Sequence, residues 1–301
     1  MVPLTRRDAL RVGGAAALAG LTGLAGCSGT IGGSATTYGK WTPAQEGSGA
    51  DESGESMYAL RPSDIDKARF SLGDRYDLMA AFLDPPVPTL EFGELDTVYS
   101  NGGWLRRLYG IEAEFEQSEL VSAYVSELDA EEVGKSYEGY ELLRVEGMIS
   151  SYLVGVADGK IAIAGAGDRD RAALEALVDA RTGEARRIDS DGPLASMNDA
   201  VGEEEFIQVS LGDAVSTRVG ETTPTAVCSG FSVADAEEDL VSLVTGYDLP
   251  STVSDPEAAV EAHLTGDISV GVARYNDPGI TSGAGLVIAT EERAVSGGLS
   301  F

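Results

Sequence analysis

The sequence predicts an α+β protein built from two similar halves, each a hairpin, a helix and a second hairpin, with antiparallel sheets and helices packed on one face. Short apolar runs bounded by turn residues recur along the chain and predict strands. Amphipathic helix patterns interrupt these runs at two comparable places. Because the same order occurs twice, we expect an internal duplication.

The first half supplies the clearest local patterns. Predicted strands are 95–100, 105–115, 140–145, 152–157, 160–164 and 205–211. Asn101-Gly102-Gly103 and Asp158-Gly159 suit tight hairpin turns. Ser118 is expected to cap a helix over 118–129, and Asp168 a second helix ending at Gly183. Arg171 and Glu175 are spaced to pair on that second helix, and a short helix is predicted over 193–201.

The second half repeats the order. Residues 225–233 and 239–247 predict a hairpin, although 236–244 could instead be helical. Asp255-Pro256-Glu257 predicts a helix start, and Gly266 its end. Residues 268–275 and 284–290 are expected to pair across the turn 276–279.

Residues before the first half are less informative. The stretch 58–88 is ambiguous apart from a predicted helix over 74–83, stopped by Pro85 and Pro86.

The N-terminal 26 residues predict an export signal for a lipoprotein. Arg6 and Arg7 resemble the twin-arginine motif, and the uncharged run 12–26 is too short for a membrane span of about 20 residues. The run ends in Leu24-Ala25-Gly26-Cys27, which resembles a lipobox. We expect cleavage before Cys27, lipid attachment to its thiol, and an extracytoplasmic protein held on the outer face of the cell membrane through that lipid.

The predicted organisation has four parts. They are the signal at 1–26, a Gly- and Ser-rich flexible tether at 27–56, a first α+β domain at 57–212 and a second, smaller α+β half at 213–301. No later run of 18 apolar residues occurs, so lipid is the expected membrane connection.

The charge balance limits the partners. The chain has 50 acidic and 21 basic residues, and removing Arg6, Arg7, Arg11 and Asp8 with the signal leaves 49 and 18, a net charge of −31. Nucleic acid is therefore an unsuitable partner, because phosphate binding needs a basic surface. Acidic residues are spread along the chain and only four of the cations are Lys, a composition typical of a surface adapted to high salt. We expect the fold to loosen below about 0.5 M salt.

Residue types that perform chemistry are scarce. His263 is the single histidine, and we expect it to interact as a cation with the C-terminus of its helix. Cys228 has no cysteine partner once Cys27 is lipidated, and its apolar neighbours predict a buried, inert thiol on a strand. A Ser-His-Asp triad, or a zinc site of histidine and cysteine, is not supported by this composition.

Two loops resemble parts of known ligand-binding loops. Gly165-Ala166-Gly167 lacks the third glycine of a phosphate loop and has Asp170 in its place. Asp189-Ser190-Asp191-Gly192 resembles part of a calcium loop, but Pro193 and Ala200 stand where oxygen ligands are needed. The sequence therefore predicts no metal, no cofactor and no catalytic residue.

Four segments carry a resemblance to a known family. They are GYELLRV, SYLVGVADGKIAIAG, DRDRAALEALVDARTGE and PLASMNDAVGEEEFIQVSL. Residues 95–212 resemble an uncharacterised family of exported proteins from bacteria and haloarchaea, here as a haloarchaeal-type lipoprotein. The resemblance implies a fold and a location outside the cytoplasm. The family has no known catalytic residues that could be assigned to this sequence.

These observations favour a noncatalytic surface lipoprotein that serves as an interaction or scaffold module. The alternative is a solute-binding lipoprotein of a transport system, for which a deep pocket between the halves, lined by Trp104 or Tyr109, would be the sign. A third possibility, a carboxylate-based glycoside hydrolase, would need two carboxylates about 5 to 9 Å apart in a cleft.

Overall fold

Twelve antiparallel strands form one continuous sheet in the computed structural model of this protein. The structure describes residues 37–44, 54–67, 72, 74–83, 85–101, 108–147, 151–165, 170–189, 192–201, 204–235, 240–266, 275–283 and 285–294. Residues Ala35–Phe301 make up one compact unit.

The elements have the following bounds. The strands are β1 (Gly54–Leu60), β2 (Leu95–Asn101), β3 (Leu108–Ala113), β4 (Glu131–Glu132), β5 (Glu141–Val145), β6 (Tyr152–Ala157), β7 (Lys160–Ala164), β8 (Phe206–Gly212), β9 (Ala226–Asp235), β10 (Leu240–Asp248), β11 (Gly279–Gly283) and β12 (Leu286–Ala294). The helices are α1 (Thr37–Lys40), α2 (Pro62–Asp66), α3 (Asp74–Leu83), α4 (Gln117–Leu128), α5 (Asp170–Thr182), α6 (Gly192–Val201) and α7 (Pro256–Thr265). Short 3₁₀ helices lie at Phe92–Glu94 and Arg187–Asp189.

The same topology occurs twice in the sheet. In the first half, the hairpin β2–β3 is followed by α4. The later hairpin β6–β7 then pairs with it, because β7 lies beside β3. In the second half, the hairpin β9–β10 is followed by α7, and β12 returns beside β10. Both α4 and α7 pack on the same face. The predicted α+β class, with its repeated hairpin, helix and hairpin, is thereby confirmed.

The two halves share one sheet rather than forming separate ones. The strand order is β11, β12, β10, β9, β8, β1, β2, β3, β7, β6, β5, β4. Strands β1 and β8 lie in the middle, and β8 pairs with β9 across the predicted boundary at 212. The central strands therefore carry residues of both parts on one surface.

Alternating side chains divide the core into two layers, one on each face of the sheet. Leu60, Val98 and Ile161 point to the face that carries α2, α3, α4 and α7. Their neighbours Ala59, Tyr99 and Ala162 point to the other face, which carries α1, α5 and α6. Because both faces are apolar along the central strands, helices cover the sheet on both sides.

Several local predictions are confirmed by contacts. The β6–β7 hairpin turns at Asp158-Gly159, where Gly159 has a φ of 64°. The side chain of Asp255 accepts a hydrogen bond of 3.2 Å from the backbone N–H of Ala258 at the start of α7. Residues 240–248 form a strand, so the helical alternative for 236–244 is wrong in that part.

The predicted N-cap of α4 is wrong. The helix begins at Gln117, so Ser118 lies inside its first turn. The free backbone N–H of Gln117 is instead bound by the Asp158 carboxylate, at 2.9 Å, from the β6–β7 turn. A residue 41 positions away thus replaces the local cap, which a local pattern does not reveal.

The last predicted hairpin is also corrected. Strand β12 pairs with β11, and Gly283 lies opposite Leu286, so this hairpin turns after Gly283 rather than at 276–279. Residues 267–274 lie outside the described part of the chain. The first hairpin has a longer connection than expected, because Asn101 lies opposite Leu108.

Part of the segment 27–56, which was predicted to be a flexible tether, is structured. Trp41 is fully buried beside the sheet, and β1 begins at Gly54. The indole N–H of Trp41 donates to the Glu112 carboxylate at 3.2 Å, and the Arg181 guanidinium donates to the same oxygen at 2.7 Å. Gly110 leaves the space that the Trp41 ring fills, since a Cβ there would lie 2.2 Å from the ring.

Candidate functional site

A cavity at the junction of the two halves is the strongest candidate site. It contains about 440 Å³ of open space, including its mouth. Its floor is formed by β8 and β9, where Gln208 lies opposite Ser229 and Ser210 opposite Val227. Directly opposed side chains on antiparallel strands are about 5 Å apart at Cβ, so these four form a continuous surface.

The connection from β8 to β9 forms the wall of the cavity. Val215, Ser216 and Thr217 line it. The backbone N–H of Ala214 donates to the carbonyl of Leu211 at 3.1 Å, and Val215 donates to Gly212 at 3.0 Å. Val215 is itself buried in the core layer of α4 and α7. The wall is therefore held by its own turn and by packing.

The lining combines uncharged polar groups with two valines. The five polar side chains of the lining are Gln208, Ser210, Ser216, Thr217 and Ser229. Within the described residues, none of the five side chains makes a hydrogen bond. The surface can therefore donate and accept hydrogen bonds without carrying charge.

A second polar feature is a buried ion pair between Glu55 on β1 and Arg187. The Glu55 carboxylate also accepts a hydrogen bond from the Asn101 side-chain amide. Glu55 is 7% exposed and Arg187 is 9% exposed. Burial, followed by the charge of Glu55, raises the pKa of the adjacent Tyr99 well above its usual value. The pair joins two central strands to the segment after α5, which is a structural role.

Two neighbouring carboxylates lie where β8 begins. Glu204 accepts a hydrogen bond from the Ser232 hydroxyl, and Glu205 accepts one of 2.8 Å from the backbone N–H of Val233. Burial is the main cause that raises the pKa of both Glu204 and Glu205. Because each carboxylate is bound to β9, the two fix the start of β8 against that strand.

The predicted lipid and export residues lie outside the described chain. Cys27, Arg6 and Arg7 all precede residue 37, where the description begins. No helix among the described residues is long and apolar enough to cross a bilayer.

His263 lies in the last turn of α7, as predicted, but not as a cation. Burial lowers the pKa of its imidazole below the usual 6.5, which favours the neutral form of the ring. The ring meets Tyr247 edge-on, with centroids 5.9 Å apart. Burial therefore disfavours the imidazolium that was expected to interact with the helix C-terminus.

Cys228 lies on β9 and is fully buried, as predicted. Burial raises the pKa of its thiol to about 12. A thiol with such a pKa is almost entirely protonated at neutral pH and is a poor nucleophile.

The two loops weighed as ligand sites lie partly outside the described residues. Of the glycine-rich loop, Asp170 is described: its carboxylate is buried at the start of α5 and lies 3.7 Å from the Arg144 guanidinium. Residues 190 and 191 of the calcium-like segment are not described. In the described chain, no group of three or more His, Cys, Asp or Glu side chains could hold a metal ion.

Of the two aromatic residues named for a pocket, only Tyr109 lies in the described part of the chain. Tyr109 is buried in the core layer of α4 and α7 and does not line the cavity, and Trp104 is outside the description. The actual lining was missed. The sequence does hold a sign of it. Gln208 and Ser210 are polar and alternate with the apolar Ile207 and Val209, so they share a strand face with Phe206, where apolar core residues would be expected.

Comparison with known proteins gives little similarity. No family model and no curated protein matches the chain. Two solved structures, crystal forms I and IV of TP0453, are similar with TM-scores of 0.42 each and 9% and 6% sequence identity. The alignments cover 83% and 78% of this chain and 93% and 88% of the other. The resemblance to an exported family stays a prediction.

Proposed function

We propose that this protein is a noncatalytic surface lipoprotein that acts as an interaction or scaffold module in high salt. It is exported on the signal of Arg6 and Arg7 and held on the outer face of the membrane by lipid on Cys27. The observation that carries this proposal is the register of the arginine pair, the short apolar run and the cysteine.

The noncatalytic part of the proposal rests on the state of the reactive side chains. The His263 ring packs edge-on against Tyr247, and the Cys228 thiol is buried. Glu204 and Glu205 are engaged in hydrogen bonds to β9. These four side chains are the candidates for a nucleophile or a general base, and each makes contacts that stabilise the fold.

The scaffold part rests on rigidity and charge. A single sheet with helices on both faces presents a fixed surface, and a net charge of −31 favours basic protein partners over nucleic acid. Cross-linking in intact cells at molar salt, followed by mass spectrometry, tests this. One reproducible protein partner supports a module, whereas an isolated protein with no partner contradicts it.

The anchor is tested by replacing Cys27 with Ala. We expect the variant to leave the membrane fraction or to remain unprocessed, because no thioether can form. Cys228→Ala is the matched control, and it should keep the protein in the membrane fraction. Normal processing and membrane retention of Cys27→Ala would contradict the anchor.

A solute-binding lipoprotein remains the second candidate. The pocket where β8, β9 and the segment 215–217 meet favours it, because its lining offers five uncharged polar side chains to a solute.

A further inference from the structure

We infer that the face of the sheet that carries α1, α5 and α6, called the α1 face below, lies against the anionic lipid surface to which the protein is anchored. The inference rests on the proposed lipid on Cys27 and adds the surface of the body that meets the bilayer. Two observations support it. They are the place where the N-terminal chain docks on the sheet and the unequal charge of the helices on the two faces.

The chain that leads from Cys27 docks in the middle of the α1 face. Helix α1 begins at Thr37, so only residues 28–36 separate it from Cys27. The helix packs on β1, β2 and α5. Trp41, which follows it, is fully buried in the core layer of this face. Strands β1 and β2 are the sixth and seventh of the twelve strands, so the docking point is central.

A short connection to that point favours contact of the α1 face with the bilayer. The opposite face could reach the lipid only if the connection ran around the body. Two layer spacings of about 10 Å each would lie along such a path, and the distance from the central strands to a sheet edge adds up to about 30 Å. This path uses most or all of the reach of residues 28–36. Lipid on Cys27 therefore draws the α1 face, rather than the opposite one, toward the membrane.

The helices on the two faces differ strongly in charge. Those of the α1 face contain four acidic residues, one lysine and two arginines, a net charge of −1. Those of the opposite face, α2, α3, α4 and α7, contain eight acidic residues and one arginine, a net charge of −7. Anionic headgroups repel acidic groups that come within about a Debye length of the surface. The bilayer therefore repels the α1 face least.

Ion pairs increase this difference. On α5, Asp170 lies 3.7 Å from the Arg144 guanidinium, and Glu175 lies 2.7 Å from the Arg171 guanidinium. Four glutamates of α4 and α7 are exposed, and none of them forms an ion pair within the described part of the chain: Glu119, Glu127, Glu257 and Glu261. The α1 face thus presents paired charges, whereas the opposite face presents bare carboxylates.

The experiment measures the distance of each face from the bilayer. The processed, lipidated protein is bound to phosphatidylglycerol vesicles, and a fluorophore is attached to Ala172→Cys on α5 or to Ala262→Cys on α7. Both positions are exposed alanines, and Cys228 is buried and stays unlabelled. Energy transfer to a dye in the headgroup layer reports the distance. We expect the label at 172 to lie at least about 10 Å closer to the lipid, because the two helix layers are roughly 20 Å apart.

A charge variant tests the part played by the anionic lipid. Glu119→Lys with Glu127→Lys places two cations on α4 and leaves the α1 face unchanged. At about 0.5 M KCl, where the Debye length is about 4 Å, the variant should reduce the distance difference between the two labels by about half on phosphatidylglycerol vesicles. No reduction is expected on phosphatidylcholine vesicles. Circular dichroism confirms the fold of each variant.

Flotation with the vesicles separates the two proposals. Protein that floats with neither vesicle type refutes the anchor and, with it, the inference. Protein that floats with equidistant labels, or with the label at 262 nearer, keeps the anchor and overturns the inference. A nearer label at 172 supports the inference if the α4 variant reduces the difference on phosphatidylglycerol alone. A difference that is the same for both lipids and in the α4 variant overturns contact with anionic headgroups.

Discussion

Replacing Arg187 with Met isolates the energy of the buried ion pair with Glu55. The guanidinium is 10% exposed and the carboxylate 5% exposed at the side-chain level. Without Arg187, the Asn101 amide is the one hydrogen-bond donor left to the Glu55 carboxylate among the described residues, and the carboxylate remains away from water. Breaking one side of such a pair costs about 3 to 5 kcal/mol. At about 2 to 4 °C per kcal/mol, the melting temperature should fall by roughly 6 to 20 °C.

The control is Arg171→Met on α5. Its Nε lies 2.7 Å from Glu175, and the two side chains are 44% and 31% exposed. An exposed pair contributes about 0 to 1 kcal/mol and less at high salt. Guanidinium unfolding would confound the salt effect, so urea is used at 0.5 and 3 M KCl. We expect the Arg187→Met cost to persist at both salts and the Arg171→Met cost to stay small.

A double variant completes the test. Glu55→Leu with Arg187→Met removes both charges, and the apolar replacements should recover most of the stability lost in the single variant. A single-variant cost below about 1 kcal/mol, or no recovery in the double variant, would refute the reasoning that the pair is desolvated.

Two further predictions concern packing and pH. Gly110→Ala should destabilise the fold by about 1 to 3 kcal/mol and shift tryptophan fluorescence to the red, because the new Cβ would displace Trp41. Gly192→Ala, whose Cβ would meet no atom within 4 Å, should be close to neutral, and equal effects at both sites would be inconsistent with the clash. Because the pKa of His263 is lowered in the folded protein, the unfolded chain binds a proton at a higher pH than the folded one does. Stability should therefore decline below about pH 6.5, and His263→Gln should remove that part of the slope. If the slope in urea titrations from pH 8 to 5 is the same in His263→Gln, the lowered pKa of His263 is contradicted.

Local chemistry explains which parts of the fold were predictable. The Asp158-Gly159 turn and the start of α7 at Asp255 are specified by residues adjacent in the chain, and both were predicted correctly. Helix α3 also has the predicted bounds, because Pro85 and Pro86 follow it closely. Strand pattern and turn type decide such features within a few residues.

Long-range contacts explain what the sequence did not predict. The cap of α4 comes from Asp158, and the partner of Glu55 is Arg187, 132 positions away. Burial of Trp41 depends on the space above Gly110, which no pattern near residue 41 reveals. The cavity needed knowledge that β8 and β9 are neighbours, since Gln208 and Ser229 carry no recognisable motif.

If Cys27 carries a lipid, the docking of the segment around Trp41 on the sheet limits the length of chain between the membrane and the folded body. Helix α1 begins at Thr37, ten residues after Cys27, and a fully extended chain spans at most about 3.5 Å per residue. If the lipid is on Cys27, the first docked residue can rise no more than about 35 Å above the bilayer.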